Sequence, residues 1–223
     1  MNPRSLMYVE SPGVTSGARS TPARGSRSVG ACAGSDGDPD RGRHARRAAD
    51  RAPPGAGTRP TSDRVREALF SAVHSHVDLD GARFADLYAG SGAVGLEALS
   101  RGAAHVLLVE SDARAARVIR ENIVALRAAP AARLVTGKVA TVLAAGPADG
   151  PYDVVFADPP YAVPDAEITA MLTALVDGGW LAPDALVIVE RSSRSGSVTW
   201  VEGVTPERSR RYGETTLWYG RRS

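Results

Sequence analysis

Cysteine is almost missing from this chain. The 223 residues contain one, Cys32, which excludes a disulfide framework and a cysteine metal cluster. Lysine is as scarce: of 27 basic residues only Lys138 is a lysine, and with the abundant Ala, Gly and Pro this bias reflects GC-rich coding more than function. No apolar run reaches membrane-spanning length. Near the N-terminus, Leu6–Val9 is too short to be the core of a signal peptide. A cytoplasmic location is therefore expected, with no membrane partner. The four histidines, His44, His74, His76 and His105, lack metal-ligand spacing, so no metal is expected. His74 and His76 are expected at the surface.

Residues 1–56 have one aromatic, Tyr8, and no isoleucine. Such a segment buries too little apolar surface to offset its ordering entropy. It is expected to be a disordered Arg/Gly/Pro-rich extension ahead of one domain over 57–223. Residues 1–60 carry ten arginines against five acids, leaving 17 basic and 20 acidic residues beyond. The domain is not basic overall, so any nucleic acid must be held by local patches. Arg59, Arg64 and Arg66 form one cluster, Arg191 and Arg194 a second, and Arg208, Arg210 and Arg211 a third. Each is equally readable as solvated surface charge.

Two motifs carry chemistry. Arg83–Tyr88 reads as a strand and runs into Ala89-Gly90-Ser91-Gly92-Ala93-Val94-Gly95, followed by a helix from Leu96 to Arg101. Gly90, Gly92 and Gly95 match the G-x-G-x-x-G pattern that lets a nucleoside ligand approach the backbone. The next strand, His105–Val109, ends at Glu110, where a ribose-binding carboxylate is expected. The second motif is Asp158-Pro159-Pro160-Tyr161, behind the apolar strand Tyr152–Ala157. Two prolines stiffen the turn. It presents a carboxylate, bare carbonyls and an aromatic plate, which suit a planar group bearing an NH2, such as a nucleobase. NAD and S-adenosylmethionine (SAM) both fit a glycine loop with a ribose acid, and the proline turn favours SAM.

Together the motifs resemble SAM-dependent methyltransferases acting on exocyclic or amide nitrogens. Arg59-Pro60-Thr61-Ser62-Asp63-Arg64-Val65-Arg66-Glu67-Ala68-Leu69-Phe70 narrows this. It resembles the opening signature of the bacterial 16S rRNA guanine-N2 methyltransferase family acting on guanine 966. The resemblance continues through Asp86–Ala103, Ala157–Tyr161, Gly178–Leu181, Val189-Glu190 and Arg211–Leu217, covering about residues 57–220. Members begin with a short hairpin that nothing in residues 1–56 matches. A shifted reading frame across Asp38–Arg47 can encode a similar sequence, so a frame error and a genuine extension both fit.

The resemblance implies an α/β fold of the Rossmann-like class I SAM methyltransferase type: a seven-stranded, mostly parallel sheet with helices on both faces. Asp158, Pro159, Pro160 and Tyr161 are the implied catalytic residues. Asp86, Tyr88, Ala89, Gly90, Ser91, Gly92, Glu110, Ser111 and Val139 would bind SAM, with Asp86 at the methionine end and Gly137-Lys138-Val139 against adenine. Arg59, Thr61, Arg64 and Arg66 would contact substrate. The implied partner is 16S rRNA within a 30S assembly intermediate, met by a monomer. Methylation of adenine N6 in DNA or of a glutamine amide, and a non-catalytic SAM-binding assembly module, are the rival readings.

Overall fold

The fold was obtained as a computed structural model that describes residues 60–223, with side chains from Arg64 onward. The extension, Cys32, Arg59 and the side chain of Thr61 lie outside the described residues. Helix α1 (Pro60–His74) leads into alternating strands and helices: β1 (Arg83–Leu87), α2 (Ala93–Ser100), β2 (His105–Glu110), α3 (Ala113–Ala125), β3 (Ala132–Thr136), α4 (Val139–Ala144), β4 (Tyr152–Ala157), α5 (Asp165–Asp177) and β5 (Leu181–Ser192). The hairpin β6 (Val204–Tyr212) and β7 (Thr215–Arg222) ends the fold. The sheet order is β3-β2-β1-β4-β5-β7-β6. Neighbours from β3 to β5 run parallel, and β7 is antiparallel to both β5 and β6.

The sequence dictates two layers around this sheet. On one face Val65, Leu69, Phe70 and Val73 of α1 pack with Leu96, Ile119, Phe84, Leu108, Phe156 and Ile188. On the other, Leu143, Ile168, Leu172 and Leu175 from α4 and α5 cover Leu107, Val155, Val187 and Val189. Strands buried on both faces read as continuous apolar runs, as parallel strands do. Helix α4 was not expected, because its six residues are too few to show a helical period. His76 is half-buried, not a surface residue: its Nδ1 lies 3.1 Å from Arg221 Nη2 and 3.6 Å from Glu207.

The chain passes from β1 outward to β2 and β3, then returns to place β4 on the other side of β1. Ligands bind open α/β sheets at such a reversal, beyond the strands' C-terminal ends. The glycine loop follows β1 and the proline turn follows β4, so the two motifs meet there.

Helix α2 lies so close to the sheet that a Cβ on Gly95 would stand 2.5 Å from Leu108 Cδ2 and 2.9 Å from Val106 Cγ1. Gly95→Ala is expected to cost about 1–3 kcal/mol through overpacking, read as a lowered melting temperature in thermal denaturation.

Candidate active site

The turn after β1 is built from left-handed backbone. Tyr88, Gly90 and Gly92 have φ of 72°, 56° and 79°. For a bulky aromatic this is a strained conformation of the kind that collects at ligand sites. Space above Gly90 is open, with nothing within 4 Å of a Cβ built there. Gly92 differs: its Cβ would meet Ile119 Cγ1 at 3.3 Å. A side chain at Gly92 would therefore disturb the backbone and α3 rather than simply fill ligand space. The loop is tied down from below, since Asn122 Nδ2 donates to the Ser91 carbonyl at 3.1 Å. Ala89 donates to the Val109 carbonyl.

Glu110, at the end of β2, accepts the Gly90 N–H at 2.8 Å on one oxygen and the Asp112 N–H at 2.7 Å on the other. A carboxylate has about four acceptor positions, so capacity remains for two ribose hydroxyls. Ser111 is exposed beside it. Asp112 caps α3, accepting from the N–H groups of Arg114 and Ala115. The turn Gly137-Lys138-Val139 adjoins Glu110 through a bond from Gly137 N–H to the Glu110 carbonyl. Val139 itself is buried in the core.

Asp86 is placed differently from the expectation that it meets the methionine amino group. It is 1% exposed, and its Oδ2 accepts the Gly95 N–H at 2.9 Å. The start of α2 thus already holds a carboxyl group, supplied from within. Dinucleotide folds direct this helix start at a pyrophosphate, so the arrangement speaks against NAD. Burial raises Asp86 to about 7; the Gly95 bond opposes this, while the charges of Asp158 and Glu110 add to it.

Beyond β4, Pro159 is buried, Asp158 and Pro160 are exposed, and Tyr161 is 66% exposed with its ring open to solvent. Although solvent reaches Asp158, the surrounding protein desolvates its carboxylate and raises it to about 6. Glu190, in β5, was quoted in the sequence only as part of a resemblance and belongs here. The β4–β5 register pairs Ala157 with Val189, so Asp158 and Glu190 are the next residues on neighbouring strands. Burial raises Glu190 to about 8, Asp158 adds to it, and a hydrogen bond with Thr215 opposes it. The signal was present in the sequence: β2 and β5 both run from valines into a glutamate at the C-terminal edge.

The arginine clusters separate once placed. Arg66 Nε pairs with Glu97 at 2.6 Å, so it braces α1 against α2. Arg191 is 5% exposed, and its Nη2 bonds the Val163 carbonyl at 3.1 Å and Asp165 at 2.8 Å. It clamps the loop that carries Tyr161. Arg208 lies 4.9 Å over the Tyr219 ring. Arg194 is exposed and paired with Glu214, and Arg211 bonds the Gly213 carbonyl. The side chains of Arg64 and Arg210 are exposed and make no hydrogen bond or ion pair among the described residues. Among the same residues, no group of three or more His, Cys, Asp or Glu could hold a metal ion. No helix there is long and apolar enough to cross a membrane.

The raised Asp86 gives a stability prediction. Its folded value of about 7 lies above the ordinary 3.8 of an aspartate, so the folded state binds the extra proton. The stabilisation is complete below the lower value and lost as pH rises through the upper one. Asp86→Asn keeps an acceptor for Gly95 and cannot ionise. The melting temperature of the variant relative to the parent is expected to rise from about pH 5 to about pH 8, measured by calorimetry.

A family model described as conserved hypothetical protein 95 matches residues 42–221. Ribosomal RNA small subunit methyltransferase D of Escherichia coli (strain K12) is 42% identical over 147 residues, spanning 66% of this chain and 71% of that protein. The putative rRNA methyltransferase YlbH of Bacillus subtilis (strain 168) is 32% identical over 162 residues, spanning 72% and 86%. Among solved structures, the putative methyltransferase yhhF from Escherichia coli superposes with a TM-score of 0.67 at 34% identity, covering 77% of this chain and 89% of that one. Magnesium protoporphyrin IX methyltransferase from Synechocystis PCC 6803, solved with bound SAM, shares the fold at a TM-score of 0.59 and 14% identity, covering 76% and 87%. By the extent of the family match and the identity of these relatives, the chain belongs to the conserved hypothetical protein 95 family, into which ribosomal RNA small subunit methyltransferase D falls.

Proposed function

We propose that the protein methylates the exocyclic N2 of a guanine in 16S rRNA, of the guanine 966 type, using SAM. The observation that carries this reading is the Asp158-Pro159-Pro160-Tyr161 turn beside an open glycine loop at the sheet's reversal. The residues fit SAM: Gly90 leaves room above the loop, Glu110 keeps acceptor capacity for a ribose, and the edge is lined with carboxylates that favour a cationic ligand. SAM supplies a methyl group activated by a positively charged sulfur.

The chain's own residues do the rest. A guanine N2 is a poor nucleophile because its lone pair is delocalised into the ring. Asp158 and the Pro159 carbonyl each accept one N–H, favouring a tetrahedral nitrogen with its lone pair directed at the methyl. This is positioning and electrostatic stabilisation. Tyr161 stacks on the base after it is turned out of the RNA, a contact worth about 1–3 kcal/mol. Arg59, Thr61 and Arg64 are proposed to contact substrate, Arg66 braces α1 against α2, and Arg210 on the edge strand meets phosphate. The enzyme acts in the cytoplasm as a monomer on a partly assembled 30S particle, where RNA shape replaces sequence readout.

Asp158→Ala is expected to leave SAM affinity nearly unchanged by calorimetry while cutting methyl transfer about 100-fold or more, because the lost contact matters most at the transition state. Equal loss of both would move Asp158 into the cofactor site. Arg210→Ala is expected to reduce the slope of log affinity for 30S particles against log salt by about 1. Nucleoside mass spectrometry of 30S particles, naked rRNA and duplex DNA after reaction checks the substrate. N2-methylguanine confined to the particles supports the proposal, and N6-methyladenine in the DNA refutes it.

A further inference from the structure

Glu190 stands on the face of the sheet covered by α1 and α2. Within β5, Ile188 faces that layer and Val189 the opposite one, and side chains alternate along a strand, so Glu190 follows Ile188. Arg191, next in sequence, turns to the other face and is spent on Val163 and Asp165. Among the described residues this half-buried carboxylate has no cationic partner, an arrangement that is costly unless the group neutralises. Across β7, Leu217 is its register partner and the buried Thr215 hydroxyl its hydrogen-bond partner. Asp158, just beyond the end of β4, acts on it, and acts also on the buried Asp86 of β1. Tyr219, further along β7, lies under Arg208 of β6. On the covering helices, Arg66 is taken by Glu97 and Arg64 is exposed.

We propose that Glu190 is the proton-holding partner of Asp158: the pair shares one proton, Glu190 keeps it, and Asp158 stays ionised as the acceptor for the target amine. This rests on the methyltransferase reading above. Two carboxylates at adjoining positions of neighbouring strands do not both ionise readily, and the one in the less favourable surroundings retains the proton. In the transfer the amine lone pair forms the new N–C bond, and the C–S bond breaks with its electron pair going to sulfur. The resulting ammonium gives its proton to the Asp158 carboxylate, which passes it to water. A second charge at Glu190 repels the Asp158 carboxylate from the amine, so Glu190 is a positioning residue acting through Asp158.

The test uses the full chain, SAM and 30S particles lacking the methyl group, with single-turnover rates across pH. The parent rate is expected to rise as Asp158 ionises and to fall as Glu190 ionises. Glu190→Gln, which mimics the protonated form, should stay within about threefold of the parent near neutral pH and lose the alkaline fall only. Thr215→Val removes the bond that favours the ionised Glu190, so its alkaline fall should move to higher pH while the acid limb stays put. Infrared difference spectra at neutral pH should show one protonated carboxyl in the parent that is missing from Glu190→Gln. If no N2-methylguanine forms with the parent, the methyltransferase reading itself falls. If the parent is active but Glu190→Gln keeps the alkaline fall, or the spectra match, the shared proton is refuted. Should Glu190→Gln not fold, an unmoved alkaline fall in Thr215→Val refutes it alone.

Discussion

The N–H of Gly95, held by the buried carboxylate of Asp86, fixes where α2 begins. Everything around the cleft depends on that bond. It holds the helix against Leu108 and Val106, at a distance only a glycine permits. It thereby sets the span between the end of β1 and the first turn of α2, which the chain bridges with left-handed residues at Tyr88, Gly90 and Gly92. That bridge leaves the Gly90 N–H directed at Glu110. A carboxylate inside the sheet, a helix start and a carboxylate at the cleft edge are linked through one short piece of backbone.

Asp86, Glu110, Asp158 and Glu190 stand on four neighbouring strands, in the order β2, β1, β4 and β5. With Glu190 holding the shared proton proposed above, the other carboxylates of the row repel an incoming anion and attract a cation. The sulfonium of SAM is positive before transfer and becomes a neutral thioether afterwards. The same row that favours the cofactor therefore weakens its grip on the spent form, which assists release.

Much of this was legible in the sequence because the information was local. Period, glycine spacing and proline turns identified β1, β2, β4 and the loops between them, and β4 has the expected bounds of Tyr152–Ala157. What lay across the sheet was not legible. Glu190 reaches Asp158 from a strand 32 residues later in the sequence, and no periodicity encodes which strand adjoins which. Charge was equally silent about partners: Arg191 and Arg194 look alike in a run of letters, yet one is a buried clamp and the other an exposed ion pair. Asp86 stands out in the sequence as a site candidate, but composition does not reveal that its carboxylate turns to a backbone donor of its own chain.

Strand β7 lies between β5 and β6 although it comes after both. Synthesis runs from the N-terminus, so when β6 emerges its place beside β5 must stay vacant for a strand not yet made. The sheet closes only when Thr215–Arg222 slots in, bringing Thr215 to Glu190 and Leu217 and Tyr219 under α1. A nascent chain can therefore have a complete glycine loop and proline turn while its carboxylate pair is still unsupported. This edge of the sheet is complete only once β7 has been made, and a ribosome stalled before β7 holds a polypeptide with both motifs and an unfinished sheet.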